Sequence, residues 1–334
     1  MKEKNGRPSI AVLAGGDSSE REVSLLSGRA ISAALSSTGC PVKFVDVVSR
    51  DIPELNEPFD VFFIALHGGF GEDGSLQKMM DARGLTYTGC DAESSARCMD
   101  KMLTKQFAAA AGVNTPPCVL ISKDASPAEI HSAARTLSPH VVVKPPAQGS
   151  SLGVSIVKDE EALVDAVAQA GRYGRSVLME QYIAGRELHV GVLGCEALPI
   201  VEVRPEREFY DYEAKYGDSG TRYVTDVNLP PPVCKKVQDA ALAVFKALGC
   251  RDFARVDVLL SADNQPCVLE VNTIPGFTEK SLLPMAAAAA GIAFPALCEK
   301  IVYRALHRAR AVTVTESYND LHFSCIPAPD SRST

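Results

Sequence analysis

The chain has 334 residues, of which 46% are hydrophobic and 22% are charged, and its formal net charge is −7. This length predicts two or three domains, and the composition is typical of a soluble globular protein. The sequence contains no basic block. That absence argues against a nucleic-acid binder, since phosphate-backbone recognition depends on clustered Lys and Arg. We therefore expect small-molecule partners.

The ten cysteines are scattered, with no C-x-x-C pair and no metal-ligand spacing. In a chain of this length they predict reduced thiols, mostly in the core, and a cytoplasmic location. The first residues, MKEKNGRPSI, lack the apolar segment of a signal peptide. The longest uncharged run, residues 281–298, is interrupted by two prolines. We predict that it forms two buried helices and no membrane span.

The N-terminal part predicts a strand, a glycine turn and a helix. Residues 9–14 form a short apolar run that ends at a Gly-Gly pair, and apolar residues at helical spacing follow it. Residues 42–48 and 59–66 are further apolar runs of strand length. This alternation predicts an open, parallel, Rossmann-like α/β domain over residues 1–92.

A second α/β unit is predicted over residues 93–184, with a helix over 99–111 that stops at Gly112. Its predicted strands lie near residues 118–121, 141–145, 154–157 and 177–182. A third unit with longer strands is predicted over residues 185–312. Residues 313–334 form a polar tail, which we expect to extend outside the core.

The stretch RVDVLLSADNQPCVLEVN, residues 255–272, predicts two apolar strands joined by a tight turn. The Asp and Asn at positions 263 and 264 both tolerate positive φ, so they predict a two-residue hairpin turn. Under that register Arg255 lies opposite Asn272. A one-residue bulge in either strand would shift the register.

The same register places the carboxylates of Asp257 and Glu270 opposite each other. Directly opposed side chains have Cβ atoms roughly 4.5 to 5.5 Å apart, so two carboxylates would repel unless a cation lay between them. Carboxylate oxygens, together with the amide of Asn272, suit Mg²⁺ bound alongside substrate phosphates. The alternative is a solvated hairpin face with incidental charges, although the surrounding valines argue against it.

A lysine precedes a glycine-serine turn in VKPPAQGSSLG, residues 143–153. In a P-loop the lysine ends the glycine-rich turn, so this stretch has the opposite order and leaves the metal to another part of the chain. Lys144 can supply positive charge to a phosphate, and the backbone N–H groups of residues 149–151 can close over its oxygens. The alternative is an ordinary turn.

Five further polar residues are candidate ligand contacts, and each also has a structural explanation. Glu180 and Glu187 flank a turn, where they either accept hydrogen bonds from adenine and ribose or are surface charges. Lys101 either binds phosphate or is solvated on a helix. Glu20 lies at the start of a helix, where its carboxylate either binds a ligand or interacts favourably with the helix dipole. His67 lies at the carboxyl edge of a strand, where open sheets bind ligands, or it fills the core.

Six motifs occur in order between residue 10 and about residue 305. They are AGGDSSEREVS (14–24), LHGGFGEDGSLQ (66–77), MDKMLTK (99–105), KPPAQGSSLGVS (144–155), FYDYEAKY (209–216) and EVNTIPGFTEKSLLPMAA (270–287). The order of a lysine strand, a glycine-serine loop, two glutamates, R-x-D and E-x-N resembles the ATP-grasp fold. The full set of motifs resembles the D-alanine:D-alanine ligase family.

The resemblance implies an ATP-grasp fold of three α/β domains that joins two D-alanines through an acyl phosphate, for peptidoglycan precursor synthesis. It implies ATP as cofactor together with two Mg²⁺ ions, which Mn²⁺ can replace. D-alanine is the implied substrate. A homodimer is common in the family and is the expected assembly.

The resemblance also implies roles for individual residues. Implied nucleotide contacts are Lys101, Lys144, Ser151, Glu180, Ile183, Glu187 and Lys215. Implied metal ligands are Asp257, Glu270 and Asn272. Implied catalytic groups are Glu20 with its partners Ser150 and Tyr216 at the first D-alanine, and Arg255 with the N–H of Gly276 at the oxyanion. Implied substrate contacts are His67, Ser281 and Leu282, the last two at the second D-alanine.

Two other classes remain open from the sequence. A ligase joining D-alanine to D-lactate or D-serine would keep the nucleotide residues and differ near the second substrate. In the family, a tyrosine at the place of Tyr216 is associated with the joining of two D-alanines. The alternative is that this tyrosine only packs under the loop and does not select the substrate. A non-catalytic ATP-grasp protein would be expected to lose a metal ligand or Arg255, and this chain retains all of them.

Overall fold

The structure is a computed structural model that describes residues 6–204 and 221–323. Three β-sheets with helices packed against them make up this part of the chain. Each sheet is built from strands that lie within one of the three predicted domain ranges. The α/β class is therefore confirmed, whereas the domain boundaries stay a prediction.

Helices connect the strands and cover the sheets. In the described ranges they are α1 (Arg21–Ser37), α2 (Gly69–Glu72), α3 (Ser75–Asp81), α4 (Ala92–Met99), α5 (Lys101–Ala110), α6 (Pro127–Arg135), α7 (Leu163–Ala170), α8 (Pro231–Ala247), α9 (Leu282–Ala289) and α10 (Phe294–Phe323). Asp100 separates α4 from α5, and its carboxylate accepts hydrogen bonds from the N–H groups of Met102 and Leu103. This cap fixes the start of α5, the helix that bears Lys101.

The N-terminal sheet is parallel, with the order β2-β1-β3. Its strands are β1 (Ile10–Gly15), β2 (Val42–Val47) and β3 (Val61–Ile64). All of β1 is buried because one face packs toward α1 and α10 while the other packs toward α3. A continuous apolar run is typical of such a doubly covered parallel strand. The carboxyl edge of this sheet positions the start of α1.

The central sheet is antiparallel, with the order β4-β7-β5-β6. Its strands are β4 (Cys118–Ser122), β5 (Val141–Lys144), β6 (Ser155–Val157) and β7 (Ser176–Gln181). The glycine-serine stretch forms the β5–β6 loop. Ser150 and Ser151 both have left-handed backbone conformations there, with φ of 53° and 57°. Such a conformation is costly for non-glycine residues, so the surrounding structure must hold this loop in place.

The third sheet is also antiparallel, with the order β10-β9-β8-β11-β12. Its strands are β8 (Gly185–Leu193), β9 (Glu196–Arg204), β10 (Arg222–Val224), β11 (Phe253–Ser261) and β12 (Pro266–Asn272). Helix α8 packs on one face of this sheet through residues such as Val237 and Val244. The central and third sheets follow each other directly, with only residues 182–184 between β7 and β8.

The turn of the β11–β12 hairpin differs from the prediction. Ser261 donates its N–H to the carbonyl of Gln265 at 3.1 Å, which leaves residues 262–264 in the loop. Of these three residues only Asn264 has a positive φ, of 58°, whereas a two-residue type I′ turn would need positive φ at both central positions. The predicted two-residue turn is therefore wrong. The Ser261 hydroxyl also accepts the N–H of Gln265, which favours the longer loop.

A β-bulge restores the predicted pairing at the polar end of the hairpin. Val258 lies opposite Val268, but Asp257 lies opposite Glu270, so Leu269 is an extra residue in β12. The shift from the longer turn and the shift from the bulge cancel. The predicted pairing of the four polar residues is confirmed, although both the turn and the unbroken register on which it was based are wrong.

The uncharged run near the C-terminus forms two helices, as predicted. Leu283 and Ala287 on α9 and Leu297 on α10 are all fully buried. Among the described residues no single helix is both long and apolar enough to cross a membrane, and α9 with the start of α10 meets that test only as a pair bent by 103°. Helix α10 continues to Phe323, through the first part of the predicted tail.

Candidate functional site

Two adjoining cavities contain most of the predicted site residues. The first, of about 470 Å³, lies between the central and third sheets, and we call it the lysine cavity. Its walls include Lys101, Lys144, Ser151, Glu180, Ile183, Glu187, Asp257 and Glu270. The second, of about 360 Å³, we call the arginine cavity. Its walls include Glu20, His67, Ser150, Arg255, Glu270, Asn272, Gly276, Ser281 and Leu282.

Glu270 lines both cavities, and the β5–β6 loop runs along their boundary. Gln148 and Ser151 face the lysine cavity, whereas Gly149 and Ser150 face the arginine cavity. The structure thus brings the predicted nucleotide residues to one side and the predicted amino-acid residues to the other. Lys215 and Tyr216 lie outside the described residues.

Lys144 is held by a buried ion pair. Its Nζ lies 2.7 Å from Glu180 Oε2, and Lys105 Nζ lies 2.8 Å from Glu180 Oε1. Burial lowers the pKa of Lys144, and it would raise the pKa of Glu180, but the two lysines hold the Glu180 pKa below its usual range. Both Glu180 oxygens are therefore committed to lysines. An adenine amino group that bound Glu180 would have to share them.

Lys105 was missed by the sequence analysis. It lies four residues after Lys101 in MDKMLTK, a spacing that places both lysines on one face of α5. Its ammonium group also donates to the carbonyl of Pro116 at 3.0 Å. This i, i+4 spacing was the sequence signal from which a second lysine facing the same anionic ligand could have been predicted.

Lys101 connects the helix, the loop and the hairpin. Its Nζ donates to the carbonyl of Gln148 at 2.7 Å and lies 3.0 Å from Glu270 Oε2. The N–H of Lys101 also donates to the carbonyl of Pro146 at 2.9 Å. The Lys101 side chain is 8% exposed and that of Glu270 is 28% exposed, so the pair is buried on the lysine side and partly open on the glutamate side, at the junction of the two cavities.

Asp257 is buried between Arg255 and His189. Its carboxylate accepts two hydrogen bonds from the Arg255 guanidinium, at 2.7 and 2.8 Å, and contacts His189 Nδ1 at 2.8 Å. Burial alone would raise the pKa of Asp257, but Arg255 and His189 lower it far below the usual range. His189 was also missed, because nothing in the sequence pairs it with β11. The pairing of β8 with β11 places it directly opposite Asp257.

The hairpin face has the donors that a divalent cation needs. Asp257 and Glu270 present opposed carboxylates, and Asn272 adds an amide oxygen that now accepts the N–H of Ile274 at 3.1 Å. Arg255 and Lys101 neutralise the two carboxylates in the present arrangement. In the described ranges no three His, Cys, Asp or Glu side chains cluster as a metal site. Two carboxylates and an amide still fit Mg²⁺, which takes few protein ligands beside phosphates.

Glu20 points away from the helix that it precedes. It occupies the N-cap of α1, yet its side chain makes no capping hydrogen bond. The hydroxyl of Ser150 donates to its carboxylate instead, across 130 positions of sequence. A Cβ on Gly68 would lie 2.7 Å from the same carboxylate, so the space around it is tightly defined. The carboxylate lines the arginine cavity and joins the N-terminal domain to the β5–β6 loop.

The other side of the arginine cavity is the start of α9. Ser281 is the N-cap of α9, and its hydroxyl accepts the N–H of Thr278 at 3.0 Å. Leu282 is the first helical residue. Backbone N–H groups at a helix N-terminus attract carboxylates, so this end of the cavity suits an amino-acid carboxylate.

A second group missed by the sequence analysis lies at the lysine cavity. Glu202 is buried and accepts hydrogen bonds from Arg186 at 2.7 and 2.8 Å and from Arg204 at 2.6 Å. Burial would raise the pKa of Glu202, but the two guanidinium groups lower it below its usual range. All three residues line the cavity. Their positions on adjacent strands were not recognisable before the pairing of β8 with β9 was known.

Solved structures share this fold. A D-alanine–D-alanine ligase from Bacillus anthracis matches with a TM-score of 0.82 and 36% identity, over 91% of this chain and 99% of that chain. A D-alanine-D-alanine ligase from Coxiella burnetii matches with a TM-score of 0.83 and 27% identity, over 95% of this chain and 99% of that chain. The fold is therefore the ATP-grasp fold of such ligases.

Family models and curated relatives match most of the sequence. Residues 43–90 match the model for the N-terminus of D-Ala D-Ala ligase, and residues 107–303 match that for its C-terminus. A D-alanine–D-alanine ligase from Gloeobacter violaceus is 44% identical over 89% of this chain and 99% of its own. One from Methylacidiphilum infernorum is 42% identical over 88% of this chain and 94% of its own. The chain belongs to the D-alanine–D-alanine ligase family.

Proposed function

We propose that the chain joins two D-alanines into D-alanyl-D-alanine at the expense of ATP, as a step in peptidoglycan precursor synthesis. The main observation is the meeting of the two cavities at Glu270. Lysines suited to phosphates line one cavity, and groups suited to amino acids line the other. Phosphoryl transfer between the two substrates would take place at this junction.

The lysine cavity would hold the nucleotide. Lys101 and Lys144 supply positive charge for phosphate oxygens, and the loop at Ser151 closes beside them. Glu187 and Ile183 lie along the same wall, where the ribose and adenine would bind. Lys215 is proposed as a further phosphate contact from the family resemblance alone.

Asp257, Glu270 and Asn272 would hold two Mg²⁺ ions, or Mn²⁺ in their place. When bound, the metal neutralises phosphate charge and so favours attack by the carboxylate. Two cationic side chains of the protein lie beside these proposed metal ligands. Arg255 and Lys101 pair with the two carboxylates and orient them on one face of the hairpin.

The arginine cavity would hold the two amino acids. The Glu20 carboxylate binds the ammonium group of the first D-alanine, with Ser150 orienting that carboxylate and Tyr216 proposed as its second partner. An oxygen of the first carboxylate attacks the γ-phosphorus, ADP leaves, and an acyl phosphate forms. The start of α9, at Ser281 and Leu282, then binds the carboxylate of the second D-alanine.

The amide forms when the deprotonated amine of the second D-alanine attacks the acyl carbon and phosphate leaves. Negative charge develops on the carbonyl oxygen in this step. Arg255 and the N–H of Gly276 lie at the arginine cavity and would stabilise that charge, a contribution of about 3 kcal/mol per donor. The reaction needs no covalent enzyme intermediate.

D-serine is an alternative to D-alanine as the second substrate, because one solved structure with this fold is a D-Ala:D-Ser ligase. A D-Ala:D-Ser ligase from Enterococcus faecalis matches this fold with a TM-score of 0.80 and 28% identity, over 90% of this chain. The fold therefore does not distinguish the acceptors. D-alanine is favoured because the curated relatives at 41–44% identity are D-alanine–D-alanine ligases. D-lactate stays the third acceptor to be compared.

We further propose that the protein is a homodimer in the cytoplasm. The nine described cysteines are all free thiols, which is typical of a reducing compartment. A dimer is expected from the family resemblance. Light scattering of the purified chain would measure its mass directly, and a monomer at micromolar concentration would contradict the proposed assembly.

The activity is tested by the release of ADP and phosphate. We expect release that needs both Mg²⁺ and D-alanine and that yields D-alanyl-D-alanine, identified by chromatography. L-alanine is the matched control substrate and should support little release. Competition among D-alanine, D-serine and D-lactate at pH 7.5 then ranks the acceptors. Equal ADP release with and without D-alanine would contradict the proposal.

The role of the hairpin is tested by Glu270→Gln. Loss of this charge removes a proposed metal ligand and the partner of Lys101, so we expect turnover to fall by about 100-fold or more. Asp263→Asn is the control, because this carboxylate lies in the exposed turn of the same hairpin. The control should keep normal turnover. Near-normal turnover of Glu270→Gln would exclude Glu270 as a metal ligand.

A further inference from the structure

Ser27 connects α1 to a segment 250 positions away in the sequence. This serine is fully buried, and its hydroxyl accepts the N–H of Phe277 at 3.0 Å and lies 2.9 Å from His67 Nε2. The other ring nitrogen of His67 lies 2.7 Å from the carbonyl of Ile274. One serine and one histidine of the N-terminal domain thus hold both ends of residues 274–277.

The direction of every hydrogen bond in this cluster is determined. A carbonyl only accepts, so His67 Nδ1 donates its proton to Ile274. Burial lowers the pKa of His67, which favours the neutral ring at pH 7.5, and in a neutral ring that donates from Nδ1 the Nε2 atom is an acceptor. A backbone N–H only donates, so Ser27 accepts from Phe277 and donates to Nε2. Each polar atom of the cluster is therefore satisfied by another one.

Within residues 274–277, one N–H group makes no hydrogen bond to the described part of the chain. The N–H of Ile274 donates to Asn272 Oδ1, Pro275 has no N–H, and the N–H of Phe277 donates to the serine. Gly276 remains, and its N–H has no hydrogen-bond partner within residues 6–204 and 221–323. Gly276 lines the arginine cavity beside Arg255. The cluster anchors the peptide groups on both sides of this one free donor.

We propose that Ser27 is a positioning residue that, through Phe277 and His67, fixes residues 274–277 and so presents the N–H of Gly276 to the reacting carbonyl. The proposal rests on the proposed ligase function for its catalytic consequence. It also changes the role expected for His67. Both ring nitrogens bind the protein, so His67 acts by holding the segment and not by direct contact with the substrate.

Ser27→Ala removes the hydroxyl, and Ser24→Ala is the matched control. Ser24 lies one turn earlier on α1, is equally buried, and also accepts one N–H and donates to one carbonyl, at Gly15 and Ala65. Both partners belong to the N-terminal domain, since Gly15 ends β1 and Ala65 directly follows β3. We expect Ser27→Ala to lower kcat at least about tenfold while KM for ATP changes less than about twofold, because a small misplacement affects the transition state selectively. Ser24→Ala should keep kcat.

Hydrogen exchange gives a second readout that does not depend on activity. In Ser27→Ala the peptide spanning residues 274–278 should exchange about tenfold faster, and in Ser24→Ala it should exchange as in the unmodified chain. Unchanged exchange in Ser27→Ala, or equal kcat losses in the two variants, would overturn the proposal. No turnover by the unmodified chain would instead reject the ligase function, and the exchange result would still test the anchoring.

Discussion

Several buried titratable side chains act on the site, although none of them was proposed as a ligand contact. Lys105 neutralises Glu180, His189 Nδ1 contacts the Asp257 carboxylate, and Glu72 lies buried near Glu20. A buried charge without a partner is strongly unfavourable, so the pairing of Lys105 with Glu180 stabilises both side chains in the desolvated site. At the residue scale, site chemistry therefore depends on side chains that no motif identifies.

Glu72 should make stability depend on pH in an unusual direction. Burial raises the pKa of its carboxyl well above the ordinary value of 4.5, and the charge of Glu20 raises it further. The folded chain then binds this proton more tightly than the unfolded chain, so the free energy of unfolding falls as pH rises above about 4.5. Glu72→Gln stays neutral and lacks that fall.

We therefore expect Glu72→Gln to be more stable than the unmodified chain at pH 7.5, where the carboxyl of Glu72 must either stay protonated or be buried as a charge. The advantage should disappear near pH 4.5. Urea unfolding at both pH values measures it, with exposed Glu22→Gln on α1 as the control. Parallel profiles for Glu72→Gln and the unmodified chain would show that Glu72 ionises normally when folded.

At the scale of elements, the strands and helices were predictable because apolar runs and helical spacing reflect burial directly. The strand over 9–14, for example, corresponds to β1, shifted by one residue. The β11–β12 turn was not predictable, since Asp and Asn tolerate positive φ in several turn types. The bulge at Leu269 was equally hidden. It depends on the pairing of both hairpin strands, which no local sequence pattern reports.

The three-residue turn predicts that its two polar residues respond differently to substitution. Asn264 has a left-handed backbone and Asp263 does not. Asn264→Ala should therefore cost about 1 kcal/mol of unfolding free energy, because a left-handed conformation penalises a Cβ, whereas Asn264→Gly should be neutral or stabilising. Asp263→Ala loses only a surface hydrogen bond to Ser261. Equal losses for the two alanine variants in urea unfolding would favour the two-residue turn after all.

At the scale of the whole molecule, the motifs predicted which residues would meet but not which of them pair with one another. The family motifs assign Lys101 to phosphate and Glu270 to metal. In the structure these two side chains neutralise each other at the junction of the cavities. The pair joins α5 to β12, and so the central and third units, across 169 positions of sequence. A sequence pattern cannot report such a pairing, because each partner also fits its own ligand.

This pairing predicts that the site binds a metal weakly when no nucleotide is present. While Lys101 neutralises Glu270, a divalent cation must compete with an ammonium group, whereas a nucleotide would draw Lys101 away toward its phosphates. Lys101→Met should therefore increase the affinity for Mn²⁺ alone about tenfold, equivalent to ~1.4 kcal/mol, while greatly weakening nucleotide binding. Electron paramagnetic resonance of free Mn²⁺ and titration with a non-hydrolysable ATP analogue measure the two effects.

Lys105→Met is the matched control. It also removes a buried lysine from the same face of α5, but this lysine pairs with Glu180 and not with Glu270. Its affinity for Mn²⁺ alone should stay that of the unmodified chain, since the Lys101–Glu270 pair is intact. A rise of the same size in both variants would mean that general loss of positive charge attracts the cation. No rise in Lys101→Met would mean that Glu270 is not a metal ligand, or that the pair is too weak to compete with one.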